Sequence, residues 1–437
     1  MVGKPFRFLQ ASDFHLHQPP FGLAQIPDHL VELLADSPFR AAARVFDLAL
    51  AEKVDFVVLA GNLVDPHAAG PRGLTFLHEQ FARLAEHGIA VYWATGVIDR
   101  RSEWPASIAW TSNVHLVAAD RIQRFTHSRN GEPLCQIIEA GPGGTGQRSR
   151  PVPGGELRLA ESEEPSSKNL AEFAANSDHL FMIAVAPHLL DPIEIADLPI
   201  RYWALGGAAN SSTPLSLSNP QRIAHHSGSP LGRQPSEVGP HGCTLIEVDA
   251  DSQIRMTPLS CDVVRWHDVR IAVAAAAERN GIERILSEQI EERIAAAPHC
   301  ASMIHFTLSG EGPLMRNGHR TGLAADLVAS LRATYGHSIP AAWTTGIEIE
   351  PPPLLDDWFT QETLLGDFLR AARSREHLQA DPIGLQAYVS ERQLAGAMAS
   401  FASITDSAER RSILRQAAAL GAELLIPEAV AIKEPSR

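Results

Sequence analysis

At 437 residues the chain exceeds what one hydrophobic core ordinarily serves, so two or three domains are expected. An apolar fraction of 45% with 20% charged residues excludes wholesale disorder and collagen-like repeats, and no run of 18 apolar residues marks a membrane span. With 37 Lys+Arg against 51 Asp+Glu the net charge is −14, which excludes a generic polyanion binder but not a local basic groove.

The first segments alternate between strand and helix patterns. Phe6–Ala11 (FRFLQA) reads as a strand. Phe39, Ala43, Phe46 and Leu50 mark a helix over Phe39–Lys53. Val54–Ala60 (VDFVVLA) is a continuous apolar run, as in a strand buried on both faces. Leu74, Leu77, Phe81 and Leu84 share one stripe of a helix over Leu74–Glu86, and Ile89–Thr95 is the next buried strand. This β-α-β-α-β order predicts a layered α/β domain.

Further strands are expected at Val114–Ala118, Leu134–Ala140, His179–Ala186, Tyr202–Leu205, Arg222–His226, Cys243–Val248 and Arg255–Leu259. Gly141–Lys168, with GPGGTG and PVPGG, reads as a long mobile loop. The pattern changes near Trp266. Ile282, Ile285, Leu286, Ile290 and Ile294 predict an amphipathic helix, and Ser302–Leu308 a strand. Leu323, Leu327 and Leu331 predict a helix that ends near Gly336, and Ala341–Ile349 closes a smaller βαβαβ unit. Pro351-Pro352-Pro353 reads as a linker, and Asp356–Ala419 is helical and rich in Ala and Leu.

Two residue types narrow the chemistry. Cys135, Cys243, Cys261 and Cys300 form no CxxC pair, so buried free thiols are expected rather than structural zinc or a disulfide framework. Histidine is frequent, with 19 copies, but the adjacent His225 and His226 lie on a strand, where neighbours point to opposite faces. They are not expected to share a metal. Lysine occurs only at Lys4, Lys53, Lys168 and Lys433, a bias attributed to genome composition rather than to phosphate contacts. The first residues show no signal-peptide pattern, so a cytoplasmic location is expected.

In open α/β sheets ligands bind beyond the carboxyl ends of the strands. The loops there are Ser12-Asp13-Phe14-His15-Leu16, Gly61-Asn62-Leu63-Val64-Asp65 and Gly96-Val97-Ile98-Asp99. His188 and Gly206-Gly207-Ala208-Ala209 follow later strands. Asp13 and His15 stand two apart at a strand end, a carboxylate and an imidazole that suit half of a divalent-metal site.

In combination these loops resemble the calcineurin-like metallophosphoesterases, and more narrowly the SbcD/YhaO group of DNA-repair exonuclease subunits. The family signature is D-x-H, G-D-x-x-D, G-N-H-D, a strand-end His and G-H-x-H. Val54–Asp65 (VDFVVLAGNLVD) follows the second motif almost letter for letter. Gly228–Val248 (GSPLGRQPSEVGPHGCTLIEV) resembles the family's strand–turn–strand, and Cys261–Trp266 (CDVVRW) its lead into a capping domain. The resemblance covers roughly residues 6–350. It implies a four-layer α/β/β/α sandwich over 1–265, a smaller α/β cap over 266–350 and a helical C-terminal region over 351–437. It also implies that the second and third strands lie side by side, with Asn62 and Gly96 at adjacent ends. Asp13 and Asn62 should then be less than about 12 Å apart.

The family's metal positions are only partly kept. Two metals about 3.5–4 Å apart are bridged by the first Asp of the second motif, which is Asn62 here. The Asn and catalytic His of the third motif are Val97 and Ile98, and the two histidines of the last motif are Gly207 and Ala209. Asp13 and His15 stand in place, with Asn62 as a poor third ligand. His188 is the candidate strand-end His, although the register favours Pro187. Asp65 and Asp99 remain as supporting residues. No catalytic residue is assigned.

Two functions follow from the resemblance. One is a non-catalytic subunit working with an SMC-like ATPase in DNA metabolism, its contact in Asp356–Ala419 through residues such as Leu364, Leu365, Phe368 and Leu369. Those residues serve equally well to pack the helices on the rest of the chain. DNA and a second copy of the chain are further candidate partners, and no membrane is expected. The other is a divergent phosphodiesterase holding one Mn²⁺ or Zn²⁺ on Asp13, His15, Asn62 and His188, with His17 or Asp99 in acid–base roles. An unrelated structural or regulatory module is the least favoured reading.

Overall fold

The first strand, β1 (Phe6–Ala11), alternates Phe6 and Phe8 on one face with Leu9 and Ala11 on the other, and all four side chains are buried. It can bury both faces because it is central to a six-stranded sheet. The structure, a computed structural model, describes residues 3–100, 104–105, 108–117, 124–139, 180–218, 220–310, 312–316, 322–350, 354–377, 383–384, 403–404 and 407–425. The loop expected at 141–168 and the linker at 351–353 lie outside these.

The first sheet adds β2 (Phe56–Ala60), β3 (Ala90–Ala94) and β4 (Val114–Val117), all parallel to one another and to β1. Antiparallel β11 (Gly242–Val248) and β12 (Ile254–Ser260) complete it, in the order β12-β11-β1-β2-β3-β4. The second sheet contains β5 (Arg124–Arg129), β6 (Glu132–Glu139), β7 (Phe181–Ala186), β8 (Tyr202–Leu205), β9 (Ser212–Ser218) and β10 (Gln221–His226). Its order is β5-β6-β7-β8-β10-β9, with β6, β7, β8 and β10 parallel.

The residues divide into layers as their alternation requires. Phe8, Phe56, Val58, Tyr92, Ile137, Ile183, Val185, Tyr202 and Ile246 form the dry interior between the sheets. Phe56 stacks on Phe8 at 5.0 Å and meets Tyr92 edge-on at 5.5 Å. Truncation of such a ring costs about 3–5 kcal/mol. On the outer face of the first sheet, Leu9, Val57, Leu59, Val91 and Trp93 pack against α1 (Asp28–Ala51) and α2 (Gly70–Glu86) through Val45, Phe46, Leu77 and Phe81. On the outer face of the second sheet, Met182, Trp203 and Leu205 pack with Leu198, Ile200 and Ile195 of the short α3 (Pro192–Ile195). This is the α/β sandwich that the resemblance implies.

Helix α1 begins eleven residues before the expected Phe39. Pro38 lies inside it, and Leu30 and Leu34 extend its buried stripe toward the N-terminus. A proline has no N–H for the carbonyl four residues back. Here the Ser37 hydroxyl donates to Leu34 O at 2.8 Å and fills that vacancy.

Polar groups between the sheets are paired. Gln10 Nε2 donates to His225 O at 2.9 Å, and Tyr202 Oη donates to Gln10 Oε1 at 2.6 Å. The His225 ring has Thr213 Oγ1 at 3.0 Å from Nδ1 and Thr244 Oγ1 at 2.8 Å from Nε2, so both nitrogens are engaged by hydroxyls. On the outer, helix-facing side of the first sheet, Cys243 and Cys261 are buried free thiols with their sulfurs 3.6 Å apart.

By internal contacts the chain forms two compact units. One is Met1–His267 with Ile294–Met303 and His337–Ala342; the other is Asp268–Arg293, Ile304–Gly336 and Trp343–Arg437. A three-stranded sheet has the order β13 (Val264–Ala272), β14 (Ala301–Ser309) and β15 (Ala342–Ile349). In the second unit, α4 (Arg279–Ala296), the short α5 (Pro313–Arg316) and α6 (Leu323–Tyr335) accompany it. Tyr335 Oη donates to Glu291 Oε1 at 2.8 Å, and Arg332 Nε donates to Thr344 O at 2.8 Å. The C-terminal elements are α7 (Asp356–Thr360), α8 (Leu364–His377) and α9 (Ser407–Leu425). Between the last two, β16 (Ile383–Gly384) pairs with β17 (Ser403–Ile404). Buried Leu369, Ala418 and Ala422 pack with Trp358, Phe359, Leu365 and Phe368. Three of the four expected partner-contact residues thus serve internal packing, while Leu364 is 72% exposed.

Candidate functional site

Beyond the ends of β1 and β2 the backbone keeps pairing. Asp13 N donates to Gly61 O at 2.9 Å, His15 N to Asn62 O at 3.1 Å and Leu16 N to Leu63 O at 3.0 Å. This zipper sets the Asp13 and Asn62 side chains side by side. Asp13, His15 and Asn62 all have positive φ, at 56°, 45° and 58°. Asp and Asn tolerate that region better than most residues, and His is enriched there as well. Three such residues in one cluster mark backbone held by its surroundings.

Both Asp13 oxygens are taken by protein donors. Asn62 Nδ2 donates to Oδ1 at 2.9 Å and Gly207 N to Oδ2 at 2.8 Å. Burial raises the Asp13 pKa, and hydrogen bonds from Asn62, Ser12 and Gly207 act in the opposite direction. The orientation of the Asn62 amide follows from its neighbours. Val97 N lies 3.2 Å from Oδ1 and can only donate, so the oxygen faces Val97 and the nitrogen faces Asp13. Nδ2 also lies 3.5 Å from Pro187 O.

Asp99 is fully buried beneath this cluster. Its Oδ1 accepts from Asn62 N at 3.2 Å and from Gly96 N; its Oδ2 accepts from Leu63 N at 3.0 Å and Trp93 Nε1 at 3.2 Å. Burial raises its pKa to about 6 against those four donors. Asp65 caps the approach to α2, where its Oδ1 accepts from His67 N at 2.8 Å and Ala68 N at 3.0 Å; the Ala68 bond leads in holding its pKa low. Asp65 N in turn donates to His17 Nδ1 at 3.3 Å. Both carboxylates organise backbone.

His15 Nε2 stands 3.9 Å from Asp13 Oδ1. Burial, then the Arg233 guanidinium and the His17 ring, lower the His15 pKa to about 3, so the imidazole is neutral. His188 is half-buried and its pKa is lowered by burial. It adjoins the cluster through its backbone, beside Gly207. Pro187 is the residue that abuts Gly61 and offers its carbonyl to Asn62. The structure therefore brings Asp13, His15 and Asn62 together, with Asp99 below and Asp65 behind.

Arg233 was not among the expected residues. Its NH1 donates to Gln18 Oε1 at 3.0 Å, and its NH2 lies 3.8 Å from Glu237 Oε1. Its charge is felt by Asp13, His15 and His17. The only sequence signal was its place in Gly232-Arg233-Gln234-Pro235, inside the matching strand–turn–strand text.

Residues 6–182 match the calcineurin-like phosphoesterase family. Over 320 residues the chain is 25% identical to the uncharacterized metallophosphoesterase YhaO of Bacillus subtilis (strain 168), covering 70% of this chain and 72% of that protein. Asp13, His15, Asn62, Asp65 and Asp99 fall inside the family match, and His188, Gly207 and Ala209 beyond it.

Phosphoesterases of this fold use divalent metals, and the donor set at this place does not fit a pair of metals bridged by residue 62. The Asn62 oxygen faces Val97 N–H, its nitrogen donates to one Asp13 oxygen, and Gly207 N donates to the other. Among the described residues no group of three or more His, Cys, Asp or Glu is arranged to hold a metal ion. Among the described residues, too, no helix is long and apolar enough to cross a membrane.

Proposed function

We propose that this chain is a non-catalytic subunit built on the phosphoesterase fold. The observation that carries this reading is the Asn62 amide, which donates to Asp13 from the position where the resembling family places a bridging carboxylate. Val97 and Ile98 stand where that family has an amide ligand and its proton-transferring histidine, and neither side chain can do either task. The test is a Mn²⁺-dependent nuclease assay of the purified chain, with Asp13→Ala as control. The expected result is no turnover above that control.

The finer reading, work beside an SMC-like ATPase in DNA metabolism, rests on the resemblance to the SbcD/YhaO group. Leu364 and Leu424, 72% and 69% exposed on the C-terminal helices, support a contact there. Co-purification with an SMC-type ATPase encoded nearby, lost in Leu364→Glu/Leu424→Glu, is the expected outcome; unchanged co-purification of that variant removes these residues from the contact. DNA affinity and self-association are measured on the same preparations.

One observation favours a second reading, a phosphodiesterase on a single metal. The neutral His15 imidazole stands 3.9 Å from Asp13, which suits two ligands of one ion. Calorimetry with Mn²⁺ or Zn²⁺ decides: saturable heat lost in His15→Ala supports it, and absence of heat ends it.

A further inference from the structure

We infer that the Asn62 side-chain amide takes over the joining role a bound metal would have at this place, a cross-link between the strand-end loops that works without any ion. The inference rests on the non-catalytic reading and goes beyond it, because it assigns the altered site a task.

A metal held by ligands from separate loops draws those loops together by supplying positive charge between them. Here one planar amide performs the same union with hydrogen bonds. Its N–H reaches Asp13 after β1, at 2.9 Å, and its oxygen receives Val97 N–H after β3, at 3.2 Å. Gly207 N–H, after β8, closes on the second Asp13 oxygen at 2.8 Å. Four loops from both sheets are thereby tied through Asp13 and Asn62. Asp99 ties the backbone beneath them through Asn62, Leu63 and Gly96. Donors and acceptors are matched along the whole path, so the charge of one carboxylate is spread over protein N–H groups instead of a cation.

The matching makes a specific demand. The single change Asn62→Asp sets two carboxylates against each other where a donor stood, and an unpaired buried acceptor is costly. The double exchange Asp13→Asn/Asn62→Asp restores a complete set. The amide, now on the β1 loop, accepts Gly207 N–H through its oxygen and donates from its nitrogen to the carboxylate on the β2 loop. The second oxygen of that carboxylate accepts Val97 N–H. The exchange leaves one carboxylate in the path, as in the native chain.

The experiment is thermal unfolding of the full chain in EDTA and in millimolar MnCl₂. The unmodified chain should have the same Tm in both. In EDTA, Asn62→Asp should unfold at a Tm lower by roughly 2 °C or more, and the exchanged pair Asp13→Asn/Asn62→Asp should recover most of that loss. Three results overturn the inference: a native Tm that rises with Mn²⁺, an Asn62→Asp variant as stable as the native chain in EDTA, or an exchanged pair no more stable than that single variant. The nuclease assay is a separate readout. Turnover with a metal-independent native Tm defeats the non-catalytic reading and leaves the cross-link standing; a metal-dependent Tm without turnover does the reverse.

Discussion

Tyr202 Oη donates to Gln10 Oε1 across 2.6 Å, in the apolar interior where the two six-stranded sheets face each other. Tyr202 comes from β8 in the second sheet and Gln10 from β1 in the first. Gln10 then spends its own amide on the carbonyl of His225. The pair fixes one sheet against the other, which apolar side chains alone do with less directional preference. Tyr202→Phe leaves Gln10 Oε1 buried and unpaired. The expected loss is about 1–3 kcal/mol in urea unfolding, with the packing of the ring retained.

His225 makes acid stability a measurable property of the same interior. Burial leads in lowering its pKa to about 4 from 6.5, with His226 adding to it. The folded state therefore prefers the neutral ring. Its contribution is fully present above the unfolded pKa of 6.5 and fades as pH falls toward 4. Over that window one such group weakens the fold by up to about 1.4 kcal/mol per pH unit. The urea midpoint should fall between pH 7 and pH 5, and fall less steeply in His225→Gln.

Asn62→Asp should also strengthen Mn²⁺ binding at the Asp13–His15 half-site. With two carboxylates and the neutral His15 imidazole in reach, Mn²⁺ finds an anionic half-site. Calorimetry should show saturable Mn²⁺ heat for the variant. Phosphodiester turnover should stay absent, because Ile98 has no proton to give a leaving group. Turnover by the variant shows that a group other than residue 98 supplies that proton.

The thiols give a probe of opening. The Cys243 pKa is pushed well up, first by its hydrogen bond with Cys261 and then by burial. A thiol held in its protonated form is a poor nucleophile. Cys135 and Cys300 are raised as well, chiefly by burial. An aromatic disulfide reagent should leave all four cysteines unmodified in the native chain and react with them when urea unfolds it. Fast labelling of Cys243 or Cys261 in native buffer contradicts this account of the core beside α1.

The interior strands were legible because burial on both faces leaves an unmixed apolar run. β1 and β8 have the expected limits, and β2 and β3 shift by two residues at most. β5 and β9 gave no such signal. They are the two edges of the second sheet, where one side lacks a strand partner, and their sequences RFTHSR and STPLSLS are mostly polar. Pro214 inside β9 suits an edge, where its missing N–H is tolerated. The start of α1 was hidden by Pro38, since only a tertiary view shows Ser37 filling the vacated carbonyl. At the site, the resemblance implied that Asp13 and Asn62 lie within about 12 Å, and they stand in hydrogen-bond contact. Which end of the amide faces Asp13 depends on Val97 N–H, a backbone group that no side-chain pattern reports. Arg233 was missed for a related reason: it is more than 200 positions from Asp13 in sequence, and the turn between β10 and β11 delivers it.

Gly207 bears on what this corner of the site can hold. Its φ is +80°, and a Cβ there would lie 3.2 Å from His188 Cα and 3.3 Å from Leu189 N. A backbone of that shape strains every L side chain, and the neighbours leave little room to relieve it. The histidine that the family resemblance expects at this corner would therefore carry backbone strain and crowd His188 and Leu189. The chain would first have to redraw the turn after β8, and in doing so surrender the Gly207 N–H that Asp13 now depends on. The turn that presents this N–H to Asp13 is thus the same turn that disfavours any side chain at position 207.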